Sequence, residues 1–172
     1  MADAGWALTS LYHTVVNVRD LDQSVAFYRL LGFEVLNDRR QVVWPDFVAG
    51  IFGMRRAKGR GVLMVLPADP NGPMIDLIDW IEPKAVFPDP AHRADEVPRI
   101  IAFRTRNVHQ AYAELSAKGV RFARDVFVPE QDLGLVGSVC CYDPNGNLIE
   151  LIELQAGVRH SRANEALAKA AG

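Results

Sequence analysis

The sequence predicts an α+β fold made of two tandem βαβββ modules, because two kinds of motif each occur twice along the chain. The first is a DPNG turn followed by apolar residues and two carboxylates, found at residues 69–80 and again at 143–154. The second is an Asx residue followed three positions later by glutamine, at 20–23 and 107–110. This capping pattern is typical of a helix start. Each module therefore contains one helix and ends in a β-hairpin.

The elements of the two modules follow from these repeats. Helices are predicted at 21–31 and 108–118, and each ends at a glycine, Gly32 or Gly119, in the left-handed conformation. Each DPNG is expected to form a tight hairpin turn. The first module carries additional residues within 37–60. Runs rich in β-branched and apolar residues predict strands at 11–18, 33–36, 61–66, 74–80, 100–105, 120–123, 135–142 and 148–154.

The predicted domain organisation follows the repeats. Residues 8–80 form the first module and residues 99–156 the second. Residues 81–98 contain four prolines and are predicted to be a linker, and residues 157–172 form a tail with a short helix that begins at Ser161. One helix over four strands buries little apolar surface, so we expect the modules to share a core.

Composition and charge exclude several classes of protein. The chain has 172 residues, a net charge of −2 and a pI near 6.1, so it lacks the basic face that nucleic-acid binding requires. Its apolar runs are shorter than the roughly 20 residues that cross a bilayer, and residues 1–5 show no secretory signal. Cys140 and Cys141 are neighbours that point to opposite faces of a strand, which argues against a disulfide. We expect a cytoplasmic protein with core thiols.

Several side chains are candidates for chemistry. Strand alternation places His13 and Asn17 on one face of the first strand, and Arg104 on the equivalent face of the second module. Glu150 and Glu153 lie on opposite faces of the last strand, and alternation alone leaves open which one faces inward. An ionised carboxylate among aliphatic residues costs free energy unless a metal or another cation compensates it. His13 can instead be a half-buried structural histidine, and Glu150 a solvated glutamate.

Three segments carry a resemblance to a known family: HTVVNVRDLDQSVAFYRLLGFEV, IAFRTRNVHQAYAELSAKGVRF and YDPNGNLIELIEL, all within residues 11–154. They resemble the vicinal oxygen chelate superfamily, which includes glyoxalase I, methylmalonyl-CoA epimerase, extradiol dioxygenases and bleomycin-resistance proteins. The resemblance implies two curved mixed sheets that form a cup-shaped active site around one divalent metal ion. It also implies a small-molecule substrate and a homodimer.

The resemblance further implies up to four ligand positions, which fall on His13, Asp76, Ile100 and Glu150. His13 and Glu150 match the family's ligands, and Asp76 is one methylene shorter than the usual glutamate. Ile100 occupies the usual histidine position and cannot bind a metal. The site is therefore incomplete, recruits another ligand such as His92, or binds no metal. A site with imidazole and carboxylate ligands suits Zn, Fe, Mn, Co or Ni.

Candidate substrate-binding residues surround these positions; they are Asn17, Trp44, Phe47, Phe103 and Arg104. Trp44 and Phe47 lie in residues 39–60, which either form a wall over the cup or act as a dimer contact or solvated loop. Arg104 is alternatively an exposed strand residue, or an ion-pair partner of Glu150 or Asp76 in a metal-free site. The aromatic residues suit an aromatic or bulky apolar molecule, and the basic run at 55–60 suits an anionic group.

Three functions remain open from the sequence. The first is a divalent-metal-dependent lyase or isomerase, in which the metal stabilises an enolate or enediolate and Glu150 or Asp76 moves the proton. The second is an extradiol-type dioxygenase, whose Fe(II) site needs two histidines and a carboxylate, and Ile100 argues against it. The third is a metal-free protein that binds a small molecule such as an antibiotic. The presence of both His13 and Glu150 favours the enzyme.

Overall fold

The computed structural model of the chain describes residues 8–87, 99–130 and 132–159. Contacts divide the chain into two compact units, with the boundary between Phe87 and Pro88. Each unit contains a mixed sheet with a helix packed on it, which confirms the predicted α+β class. Part of the predicted linker, including His92, and the predicted helix from Ser161 lie outside the described residues.

In the described part of the first unit, four strands form a sheet in the order β1-β4-β3-β2. Strands β1 and β4 are parallel, and the other neighbouring pairs are antiparallel. The first and last strands of the unit are therefore adjacent, although the whole unit separates them in sequence. Its elements are β1 His13–Asn17, α1 Leu21–Leu30, β2 Glu34–Asp38, α2 Phe47–Ile51, β3 Lys58–Val65 and β4 Met74–Glu82.

Helix α1 covers one face of this sheet, which we call the helix face. Its buried residues recur every three or four positions, at Leu21, Val25 and Tyr28, so they form one apolar stripe. Ile75 and Leu77 of β4 are buried on the same side. The opposite face, which we call the open face, carries the alternate residues of the two parallel strands, namely His13, Val15, Asn17, Asp76, Ile78 and Trp80.

Asp20 caps helix α1, as the sequence predicts: its carboxylate accepts a hydrogen bond from the backbone N–H of Gln23 at 3.0 Å. Replacement of Asp20 by alanine is expected to lower the free energy of unfolding by about 1 kcal/mol, because that N–H loses its acceptor. Asp20→Asn keeps an acceptor oxygen and is expected to change it by much less. Urea denaturation of both variants measures the difference, and equal losses would contradict a role of the cap.

The second unit repeats this plan with a three-stranded sheet in the order β5-β7-β6 among its described residues. Asn107 caps helix α3 through the N–H of Gln110, and Gly119 ends it at φ +83°, just as Gly32 ends α1 at φ +91°. Strands β5 and β7 are parallel. The elements are β5 Ile100–Arg104, α3 Val108–Ala117, β6 Leu135–Tyr142 and β7 Leu148–Leu154.

The predicted strand at 120–123 is wrong. Phe122 makes an isolated bridge with Cys141, and Phe127 makes one with Ser138, but no ladder joins them. Two backbone hydrogen bonds flank the first bridge, from Tyr142 to Arg121 at 2.9 Å and from Ala123 to Cys140 at 2.8 Å, and the backbone then bends at residues 123–125. The second unit therefore keeps the path of the predicted strand without its full hydrogen bonding.

The two DPNG segments differ from each other. The second is the predicted tight hairpin, since the Asp143 carboxylate accepts the backbone N–H groups of Asn145 at 2.9 Å and Asn147 at 2.8 Å. The first also forms a turn, since the backbone N–H of Gly72 donates to the carbonyl oxygen of Asp69 at 2.9 Å, but this turn lies within a longer loop, residues 66–73, so the connection is not the tight hairpin that was predicted. Pro73 stands where the second repeat has Asn147, and a proline has no N–H to close the hairpin.

Strand β4 continues to Glu82 and so enters the predicted linker, and β3 begins at Lys58 rather than at residue 61. The additional residues of the first module include the short helix α2, which the sequence did not predict. No helix in the described part of the chain has the length and apolar character that a membrane crossing requires.

Candidate functional site

The open face of the first sheet brings His13 and Asp76 onto neighbouring strands. His13 pairs with Met74 and Val15 pairs with Asp76 in the parallel register, so His13 and Asp76 are diagonal neighbours. The Nδ1 atom of His13 and the Oδ1 atom of Asp76 are both buried and have no hydrogen-bond partner among the described residues. Buried polar atoms are almost always paired, so two such atoms on one face indicate a place for a ligand.

The guanidinium group of Arg39 lies near His13 and Asp76 and acts on the Asp76 carboxyl. Burial raises the pKa of the Asp76 carboxyl above its ordinary value, and the charges of Arg39 and His13 partly oppose this rise. The Nε atom of Arg39 is also buried without a hydrogen-bond partner among the described residues. We call His13, Arg39 and Asp76 the polar cluster.

Gly61 makes room for the polar cluster. It lies on β3, and its carbonyl accepts a hydrogen bond of 3.0 Å from the backbone N–H of Arg39. A Cβ atom at position 61 would lie 2.8 Å from the carbonyl oxygen of Leu77 and 3.4 Å from Oδ1 of Asp76. A glycine at this position therefore lets β3 approach β4 closely beside the Asp76 carboxylate.

Three aromatic rings lie at the other end of this face, and we call Trp44, Phe52 and Trp80 the aromatic cluster. The centroid of Trp80 lies 5.2 Å from that of Trp44 and 5.9 Å from that of Phe52, with both pairs edge-on. Asn17 fixes Trp80, because its Oδ1 accepts a hydrogen bond of 2.8 Å from the indole N–H. Trp44 lies against Gly59, where a Cβ atom would be 2.8 Å from its ring.

In the second unit, Glu150 lies on the face of the sheet that faces away from α3. Its neighbour Glu153 accepts a hydrogen bond of 2.8 Å from the backbone N–H of Val108, at the start of α3, so Glu153 points toward the helix. Glu150 differs from Glu153 by three positions along β7 and therefore points to the opposite side. The hydroxyl of Ser138 donates a hydrogen bond of 2.7 Å to Oε1 of Glu150.

The remaining predicted site residues are placed as follows. Ile100 lies on the same face as Glu150 and is 53% exposed. Arg104 donates from Nη2 to the carbonyl oxygens of Val158 at 2.7 Å and Arg159 at 3.2 Å, rather than to a carboxylate. Phe103 alternates with Arg104 and lies on the helix side.

Phe47 stands apart from the aromatic cluster, because it lies on α2 and its side chain is exposed. The roles assigned to Phe47, Phe103 and Arg104 in substrate binding stay predictions.

The unpartnered atoms of the polar cluster fit a divalent metal ion. A histidine nitrogen and a carboxylate oxygen are ordinary ligands of first-row divalent ions. Glu150 has the hydrogen-bonded oxygen that is typical of a ligating carboxylate. Arg39 weakens the fit, because its charge competes with a cation for Asp76. No three His, Cys, Asp or Glu side chains within the described ranges group together as a metal site.

Sequence reasoning missed Arg39, Trp80 and Ser138. Strand alternation could have found Trp80, because it lies four positions after Asp76 on the same strand. Arg39 had no comparable signal, since its place beside Asp76 depends on how β2 pairs with β3 and how the chain continues beyond β2. Ser138 likewise depends on the register between β6 and β7.

Comparisons with known proteins agree with this fold. The family model described as "Glyoxalase/Bleomycin resistance protein/Dioxygenase superfamily" matches residues 10–151. A glyoxalase family protein from Bacillus cereus is similar in structure, with a TM-score of 0.68 and 19% identity over 90% of this chain and 100% of that chain. No curated protein sequence matches the chain.

Two further similar structures are resistance or binding proteins. One is a fosfomycin resistance protein from Listeria monocytogenes, solved with Mn(II), with a TM-score of 0.57 and 18% identity over 87% of this chain and 95% of that chain. The other is an antibiotic binding protein from a Streptomyces species, with a TM-score of 0.57 and 21% identity over 87% of this chain and 99% of that chain. At these identities the structures show a shared fold, and the family model covers most of the sequence. The chain therefore belongs to the glyoxalase/bleomycin resistance protein/dioxygenase superfamily.

Proposed function

We propose that this protein is a divalent-metal-dependent lyase or isomerase that acts on a small oxygen-bearing molecule. The observation that carries the proposal is the pair of buried, unpartnered ligand atoms, Nδ1 of His13 and Oδ1 of Asp76, on neighbouring strands of one face. Membership of the superfamily supports it, because the sequence resemblance implies that His13 and Glu150 fall on ligand positions of that family.

Each residue of the candidate site has a separate role in this proposal. His13 and Asp76 would hold the metal, and the family resemblance makes Glu150 a further candidate ligand. When bound, a divalent cation polarises a carbonyl or hydroxyl oxygen of the substrate. In the absence of metal, burial raises the pKa of the Asp76 carboxyl, and a bound cation would offset the free-energy cost of its charge. Ser138 fixes one oxygen of Glu150 and leaves the other to bind or to move a proton.

A second candidate function is a metal-free protein that binds a small molecule, and Arg39 favours it. The charge of Arg39 already acts on Asp76, so a cation need not be present to compensate that carboxylate. The dioxygenase alternative has no such support, because its second histidine is replaced by Ile100.

The proposal also includes a cytoplasmic location and a homodimeric assembly. Both cysteines are free thiols, which supports a reducing compartment such as the cytoplasm. Members of the superfamily commonly form dimers, and we propose a homodimer here. Light scattering coupled to size-exclusion chromatography measures the mass of the assembly, and a monomer at micromolar concentration would contradict the dimer.

The proposed function predicts that protein purified without chelator or affinity tag contains metal, or takes it up from Mn, Fe, Co, Ni or Zn. His13→Ala is expected to weaken the affinity for metal at least tenfold, because an imidazole ligand is lost. His109→Ala is the matched control, since His109 is exposed on α3, and we expect it to bind metal as the parent does. Elemental analysis and titration calorimetry measure both.

Either of two results would contradict the metalloenzyme. The parent protein would take up none of the five metals, or His13→Ala would bind metal as tightly as His109→Ala. A tight small-molecule ligand that is not turned over would then favour the binding protein. Solvent deuterium incorporated at a substrate carbon next to a carbonyl would instead support the lyase or isomerase directly.

A further inference from the structure

We propose that residues 160–172, which we call the tail, dock as a helix on the second sheet, over strand β5 and on the face opposite α3. We call this face the second open face. The residues of β5 and β7 that lie on it are Ile100, Ala102, Arg104, Leu148, Glu150 and Ile152. The docking involves the second unit alone, so it goes beyond the proposed function and does not depend on it.

The second open face is apolar and is only partly buried by the described residues. Ile100 is 53% exposed, Ala102 is exposed, and Leu148 and Ile152 are half-buried. Helix α3 packs on the other face of the sheet. A sheet can leave one face in water when that face is polar, but neighbouring apolar side chains on an uncovered face indicate a contact surface.

The chain reverses its direction after β7. The backbone N–H of Val158 donates to the carbonyl oxygen of Gln155 at 3.1 Å, and Gly157 in this turn has a φ of +79°. A four-residue turn with this hydrogen bond reverses the chain, and glycine readily adopts the positive φ at its third position. The chain that follows Arg159 therefore starts back along the sheet.

Arg104 determines the side of the sheet on which the chain returns. Its side chain projects from the second open face at the carboxyl end of β5. Its Nη2 atom donates to the carbonyl oxygens of Val158 at 2.7 Å and Arg159 at 3.2 Å. These two residues immediately precede the tail, so the tail begins at the second open face.

The sequence of the tail predicts a helix with one apolar side. In a helix that begins at Ser161, four apolar residues recur at the spacing of a single stripe: Ala163, Ala166, Leu167 and Ala170. The charged residues Arg162, Glu165 and Lys169 fall on the opposite side. Glu165 precedes Lys169 by four positions, a spacing that stabilises a helix.

The length of this helix matches that of β5. Residues 162–171 would span about 15 Å at 1.5 Å per residue, and the five residues of β5 span about 16 Å at 3.3 Å per residue. An isolated helix of this length is marginal in water, so most of its stability must come from packing of its apolar side. The second open face provides such a surface at the point where the tail begins.

Cysteine labelling with iodoacetamide tests the docking. Ala102→Cys places a thiol on the second open face, and Ala113→Cys places one on the exposed surface of α3 as the matched control. Deletion of the tail is expected to raise the labelling rate at position 102 about tenfold and to leave the rate at position 113 unchanged. Mass spectrometry of the labelled peptides separates both positions from the native thiols of Cys140 and Cys141.

Single substitutions in the Ala102→Cys background test the contacts separately. Leu167→Gln is expected to raise the labelling rate severalfold, because it places a polar group in the apolar stripe, whereas Lys169→Gln on the charged side should not. Arg104→Gln is expected to raise the rate as well, because it removes the guanidinium that binds the two carbonyl oxygens. Arg106→Gln is its control, since Arg106 is exposed just beyond β5.

Equal labelling rates at position 102 with and without the tail overturn the proposal. Rates near that of the urea-unfolded protein in both would show that the face is open to water. Slow labelling in both would show that another surface covers it, and a rate that falls as protein concentration rises would identify a second copy. If the deletion variant does not fold, equal rates for Leu167→Gln and Lys169→Gln overturn the proposal instead.

Discussion

Replacement of Asp76 by asparagine is expected to weaken divalent-metal binding about 100-fold while it raises the free energy of unfolding of the metal-free protein by about 1 kcal/mol. Metal affinity falls because a neutral amide replaces an anionic ligand. Stability rises because burial disfavours the charged form of Asp76, and asparagine removes that charge at nearly constant volume. Opposite changes in binding and stability are typical of a residue kept for function.

The stability gain has a defined dependence on pH. The pKa of Asp76 is raised in the folded protein, so the protonated carboxyl costs little and the ionised carboxyl costs more. The free energy that Asp76 contributes is therefore favourable at low pH and is lost as pH rises through its folded pKa. The advantage of Asp76→Asn should be full at pH 7 and disappear below about pH 4, near the ordinary pKa of aspartate.

Asp79 offers a matched control on the same strand and the opposite face. It is buried and its carboxylate accepts a hydrogen bond of 3.0 Å from Nε of Arg60. Asp79→Asn is expected to lower the free energy of unfolding by about 1–3 kcal/mol, because it weakens a charged hydrogen bond. Urea denaturation in the presence of chelator compares both variants with the parent. A loss of stability in Asp76→Asn would show that the Asp76 carboxylate is structural.

Replacement of Leu77 by alanine is expected to have the largest effect on stability, a loss of about 2–5 kcal/mol. Leu77 is 0% exposed on the helix face of β4, between its register partners Val16 and Val62. The shortened side chain would leave a cavity under α1 that the strands on both sides cannot close. The sheet order places β4 between β1 and β3, so it has little freedom to shift.

Tryptophan fluorescence during urea denaturation measures this loss, since every tryptophan of the sequence precedes Phe87. Leu36→Ala is the control, because Leu36 is 58% exposed on the edge strand β2, and we expect a change within about 0.5 kcal/mol. A similar loss in both variants would mean that the leucine content of the first unit, rather than the buried contact under α1, determines its stability.

The sequence predicted the fold well where the signals are local. The Asx caps at Asp20 and Asn107, the left-handed glycines and the second DPNG turn are each specified by a few neighbouring residues, and each is present. Hydrogen bonding between segments is specified less clearly. The strand expected at 120–123 is reduced to a single bridge to β6, because the backbone bends at residues 123–125 and ends the pairing there.

In the candidate site, too, local patterns were predicted and contacts between distant segments were not. His13 and Asp76 were predicted from the family resemblance, and strand alternation alone places His13 and Asn17 together on one face. Arg39 was not predicted, because its position near Asp76 depends on the bulge between Val35 and Asn37 and on the pairing of β2 with β3. A single sequence does not specify the bulge or the register between these two strands.

The parallel pairing of the first and last strands in each sheet has a consequence for synthesis on the ribosome. Strand β1 leaves the exit tunnel first, yet its partner β4 ends only at Glu82, and β5 likewise waits for β7, which ends at Leu154. Neither sheet can form its parallel ladder until the last strand of its own unit has been translated. Long-range pairing of this kind slows folding, so nascent β1 remains an exposed edge that chaperones can bind until translation passes the linker.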